Sequence, residues 1–103
     1  MSVIVSFCTP RGIGSVHAPG IGTARIRQDL TLGDTTTGAA ADGEIAYLVN
    51  DEDSVVVVAF GSGPDADATE ATDATSAGIA VPAGGALVLV TRAGDKVNAK
   101  AVS

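Results

Sequence analysis

Four β-branched residues in succession, Val55-Val56-Val57-Val58, constrain this chain more than any other feature. Each loses side-chain freedom in a helix and packs well on a pleated sheet. The run therefore predicts a strand over residues 54–60, apolar on both faces. A strand of that kind is covered on both sides, by the other half of a sandwich or by another subunit. Its neighbours obey the same logic. Residues 23–32 alternate, with Ala24, Ile26, Leu30 and Leu32 on one face and Arg25, Arg27, Asp29 and Thr31 on the other; Gln28 breaks the apolar row. Residues 44–50 place Ile45, Tyr47 and Val49 opposite Ala46 and Leu48. Further strands are predicted over 2–7, 79–81, 86–91 and 96–102, the last with Val97, Ala99 and Ala101 inward and Lys96, Asn98 and Lys100 outward. Lysines on a terminal strand also discourage edge-to-edge pairing.

Turn chemistry separates these segments. Asn50-Asp51-Glu52-Asp53 suits a tight turn, because Asn and Asp side chains bond their own backbone. It predicts a hairpin over 44–60. Pro82-Ala83-Gly84-Gly85 reads as a second turn, and Arg92-Ala93-Gly94-Asp95 as a hairpin connection. Gly33 to Gly43 is a loop of small and polar residues. Residues 61–77 carry no large apolar side chain, which predicts an exposed loop or flap. Residues 8–22 hold Pro10, Gly12, Gly14, Pro19, Gly20 and Gly22, too many breakers for a helix. The expected fold is all-β, a single antiparallel β-sandwich or small barrel of about seven short strands. An extended Gly/Pro-rich N-terminal arm, residues 1–22, precedes a sandwich domain over 23–103.

Size and composition narrow the function classes. The chain of 103 residues accommodates one domain, and aromatics are only 3%, so Val, Ile, Leu and Ala must fill the core. The formal charge is −6, with three arginines and no acid in residues 1–27, and eleven acids and no Lys or Arg in 28–91. Six scattered cations make no basic stripe, which disfavours nucleic acid and anionic membrane as partners. Acid in the loops favours solubility; basic ends packing on acidic middles of other copies is the sharper reading. The start of the sequence lacks the pattern of a secretory signal, and no apolar run is long enough for a helical span. Synthesis and use from a cytoplasm are the corresponding expectation.

Chemistry-bearing patterns are sparse. Gly12-x-Gly14 and Gly20-x-Gly22 lack the third glycine and following helix of a dinucleotide site. Asp65, Asp67, Glu70 and Asp73, and Asp51-Glu52-Asp53, raise the question of calcium, but neither has EF-hand spacing. One cysteine and one histidine cannot build a tetrahedral zinc site. Cys8 with His17 is formally a nucleophile pair; a buried inert thiol is the favoured reading. Tyr47 reads as core with its hydroxyl at a sheet rim. No catalytic residue, metal ligand or cofactor site is assigned, and the chain is not expected to be an enzyme.

The stretch Val55-Val56-Val57-Val58-Ala59-Phe60-Gly61-Ser62-Gly63-Pro64, then an Ala/Thr/Asp loop, then Ile79-Ala80-Val81-Pro82-Ala83-Gly84-Gly85 and Leu87 to Val97, resembles small β-sandwich structural proteins of tailed-phage and gene-transfer-agent virions. The resemblance covers residues 55–102. It implies a virion location after synthesis in a host cytoplasm, many copies, other virion proteins as partners and homo-oligomers. Decoration, cementing or capping of a capsid is the implied role. A tail or head–tail ring protein, or a small sugar- or calcium-binding β-domain, is the alternative. Arg11, Arg25, Arg27, Asp65, Asp67 and Asp73 are the expected interface residues, as exposed charges on the arm, the wet strand face and the acidic loop.

Overall fold

A computed structural model describes the backbone of residues 2–13 and 18–102 and the side chains of residues 2–10 and 21–102. The described residues contain seven strands and no helix: β1 (Val3–Ile13), β2 (Ala18–Leu30), β3 (Ile45–Asn50), β4 (Val56–Gly61), β5 (Ile79–Val81), β6 (Ala86–Val90) and β7 (Lys96–Ala101). They form two antiparallel sheets, ordered β2-β1-β3-β6 and β5-β4-β7. The sheets are layers of a sandwich-like fold. Val3, Val5, Phe7, Leu30, Ala46, Leu48 and Leu89 of the first meet Val56, Val58, Val81, Val97 and Ala99 of the second in one core. The pairing of β1 with β2 continues past Pro10 to Ile13↔Ala18, so strand pairing extends into the glycine-rich segment.

Two predicted hairpins are corrected. β3 and β4 lie in different sheets, so residues 51–55 cross the sandwich instead of turning back beside β3. β6 and β7 are likewise split, and 92–95 is a second crossing. Alternation says which face of a strand is apolar, not whether the next strand lies beside it or across the core. Five residues at about 3.3 Å each also easily span the ~10 Å between packed sheets. The turn at 82–85 is present, closed by Gly85 N donating to Pro82 O at 2.8 Å, but it too joins the two sheets.

Buried side-chain amides and hydroxyls hold these crossings. Asn50 is fully buried; its Nδ2 donates to Ser54 O, Val81 O and Pro82 O at 3.0 Å each. Its Oδ1 accepts from Glu52 N at 2.9 Å. The loop after β2 runs along β7 as a ragged edge: Gly33 N donates to Ala99 O, Thr36 N to Val97 O, and Thr36 Oγ1 accepts from Val97 N. That segment, rather than the lysines, covers the β7 edge. Asn98 is buried rather than wet, donating to Asp34 O and accepting from Ala66 N at 2.8 Å, and Ala101 is exposed.

The second cover of β4 is the chain's own loop, not a subunit. Residues 62–78 fold over the outer face of the second sheet and bury Ala66. Ser62 N donates to Ala74 O, Ser76 N to Phe60 O and Gly78 N to Ala68 O. Gly78 passes so close that a Cβ there would strike the Ala66 carbonyl and lie 2.5 Å from Val57 Cγ1.

Candidate functional site

The outer face of the four-stranded sheet carries a row of apolar side chains. Register aligns Ile4 with Val49, Ser6 with Tyr47, Tyr47 with Val88, Ile45 with Val90 and Val49 with Ala86. These side chains point away from the core. Val88 is 47% exposed and Val90 81%, while Tyr47, Val49 and Ile4 are half-buried. Tyr47 therefore sits on an outer face rather than in the core, because Ala46 and Leu48 take the inward positions of β3. The sequence marked 86–91 as an apolar strand; it could not show that Val88 and Val90 would be left facing outward.

The expected interface charges lie on separate layers, and most are engaged within the chain. Arg27 pairs with Asp29 at 3.2 Å on the exposed face of β2. Arg25 does not share that face. A register shift opposite Phe7 and Cys8 makes Arg25 the extra residue between Ile26 and Ala24, and a bulge breaks the two-residue alternation. Arg25 Nε and Nη2 reach the Glu44 carboxylate at 2.9 and 2.8 Å, and Nη2 also donates to Ala39 O. Glu44 is 7% exposed and also accepts from Ala41 N. The Arg25 hydrogen bond holds the Glu44 carboxyl below its ordinary range. Asp65 and Asp67 both grip Lys100 Nζ at 2.9 Å, which pins the loop to β7; these bonds lower the Asp65 carboxyl and raise the Lys100 ammonium. Asp73 is exposed on the same loop. The Arg11 side chain lies outside the described residues.

An open cleft of about 470 Å³ separates loop residues 71–76 from Val90, Arg92, Ala93 and Asp95. Two of its hydroxyls are tied to backbone: Ser76 Oγ donates to Ala77 O and accepts from Phe60 N, and Thr72 Oγ1 accepts from Thr75 N. Cys8 is free and buried, and burial, then the Glu44 charge, push its thiol up from the ordinary value. His17, the other half of the formal nucleophile pair, lies outside the described residues. Among the described residues no three His, Cys, Asp or Glu side chains gather to hold a metal ion, and no helix is long and apolar enough to cross a membrane. In comparisons with known proteins, no family model, curated protein or solved structure matches the chain.

Proposed function

We propose that this chain is a non-enzymatic structural protein of a phage-like virion, which decorates, cements or caps the capsid through protein–protein contacts. One observation carries the reading furthest: an apolar outer sheet face, from Ile4 across Tyr47 and Val49 to Val88 and Val90, stays open among the described residues, most of all at Val88 and Val90. Exposed apolar area rimmed by charge is the common mark of a protein–protein surface. The sequence resemblance over 55–102 supplies the setting. Repetition on a shell makes weak contacts sufficient, since each copy raises the effective concentration of the next.

Fractionation of a producing lysate tests this reading. The protein co-sediments with particles at dozens of copies or more per particle. Residence in the soluble pool alone overturns the proposal; a handful of copies per particle moves it to a tail or junction ring. Heat on titration with calcium or a glycan panel would instead favour a ligand-binding domain.

A further inference from the structure

We propose that the free edge of β6 is a docking strand for a second copy of this chain, the two β6 strands pairing antiparallel about a two-fold axis at Val88. This deepens the assembly reading and rests on it for its purpose, but its geometry stands on the fold.

Edges are the first consideration. An unpaired strand edge is a template for another strand, and proteins blunt the edges they do not use. Three of the four edges here are blunted. β2 carries Pro19, a bulge at Arg25 and the charged pair Arg27–Asp29. β7 is flanked by residues 33–36. β5 has three residues and runs into Pro82. β6, with the sequence Ala-Leu-Val-Leu-Val, has neither charge, proline nor bulge.

Backbone direction is the second. Asn50 N donates to Gly85 O, so the bonded pairs between β3 and β6 fall on Leu48↔Leu87 and Ala46↔Leu89. The amides and carbonyls of Ala86, Val88 and Val90 then point to the open edge. These same residues carry the exposed apolar side chains. A two-fold at Val88 sets Val88 against its own copy and Ala86 against Val90, and joins the two outer faces into one sheet surface.

Charge is the third consideration, and it selects a second copy over any other strand. Arg92 follows β6 and makes no ion pair among the described residues; neither do Asp51, Glu52 and Asp53. Gly84 and Gly85, at the other end of β6, are bonded to Asn50, beside that acidic turn. Antiparallel pairing at Val88 brings the Arg92 end of each copy's β6 to the Gly84–Gly85 end of the other's, the end that carries the acidic turn. Opposite charges at the two ends of one strand are self-complementary under a two-fold. The open cleft beside Val90 lies where the other copy's Gly84 and Gly85 arrive, residues with no side chain to exclude.

Cysteine placement in the 103-residue chain tests the register, with the buried Cys8 as internal control. Val88→Cys pairs with its own copy at about 5.5 Å between Cα atoms and oxidises to a disulfide dimer. Val90→Cys stands four residues out of register from its own copy, about 13 Å along the strand, and cross-links at least tenfold more slowly. Sedimentation equilibrium gives the wild type twice the 10.1 kDa chain mass, and V88K/V90K raises the dissociation constant at least tenfold with unchanged circular dichroism. A wild type that is monomeric at about 100 μM overturns the proposal, as does equal cross-linking of the two cysteine variants or a dimer indifferent to the lysines. Purified protein suffices throughout. A dimer that ignores particles sinks the virion reading alone, and particle binding by a monomer sinks the β6 pairing alone.

Discussion

Truncating Asn50 to alanine should be among the most damaging single changes outside the hydrophobic core. Its amide ties together the end of β3, the far end of the crossing to β4 and the end of β5. Only the bond to Val81 O is wholly buried; water can replace those to Ser54 O, Pro82 O and Glu52 N. One orphaned buried carbonyl costs about 2 kcal/mol, and the lost part-buried bonds and vacated volume add about 1 kcal/mol more. The expected loss is about 3 kcal/mol, against a total of about 5–15 for a domain of this kind. In a chain of this length that lowers Tm by about 12–24 °C. Urea unfolding followed by circular dichroism measures it as a lower midpoint at unchanged slope. Asn50→Asp separates the hydrogen bond from the volume. It keeps the shape but aims a carboxylate oxygen at carbonyl oxygens, so at neutral pH it costs at least as much as alanine. Its native pKa is then raised above the unfolded value. Relative to alanine, the Asp variant therefore regains stability as pH falls through that raised native pKa, where the protonated acid can donate again. A loss under about 0.5 kcal/mol for Asn50→Ala, or a wild-type-like Asn50→Asp at neutral pH, would refute the pinning role.

Three further changes follow from the same contacts. The depressed Glu44 carboxyl contributes stability that is complete above the unfolded value of 4.5 and is lost as pH falls through the lower native value; Glu44→Gln should flatten that part of a stability–pH profile. Gly61 has φ +147° and a Cβ there would lie 2.7 Å from Thr75 Cα, so Gly61→Ala should cost about 1–3 kcal/mol and speed proteolysis within 62–78. Lys100→Ala should raise the Asp65 carboxyl toward its ordinary 3.8 in an NMR titration and increase amide exchange at Ala66, leaving the β1–β3 ladder protected.

The buried thiol offers a simpler check on the packing around β1. Cys8 should resist a thiol reagent at mildly alkaline pH in the folded chain and react at once in urea, because burial raises its pKa and denies access. Fast labelling of the native protein would show that the β2 edge of the first sheet opens near the bulge at Arg25.

Strand identity was legible from residues 44–60, 86–91 and 96–102, because β-branched runs and alternation report local preference and burial. Alternation gave the inward side of Ile26 and Leu30, but it put Ala24 on that side too and placed Tyr47 in the core, whereas Ala24 is exposed beyond the bulge and Tyr47 lies on the outer face. Pairing was not legible. Asn50-Asp51-Glu52-Asp53 and Arg92-Ala93-Gly94-Asp95 carry turn residues that serve a hairpin and a crossing equally well, and only the packed sandwich decides between them. The charged residues show the same division. Arg25 looks like a wet-face cation until one extra residue in the β1–β2 ladder turns it toward Glu44. Asp65 and Asp67 look like free loop acids until the loop lies down on β7 and meets Lys100. Local sequence fixes the covalent spacing and hydropathy of each strand, so it determined that this chain is all-β with an aliphatic core. Which faces and edges remain open depends on contacts between residues well separated in the chain, from Gly78 against Val57 to Asn50 against Pro82, and those exist only once strands and loops have packed on each other.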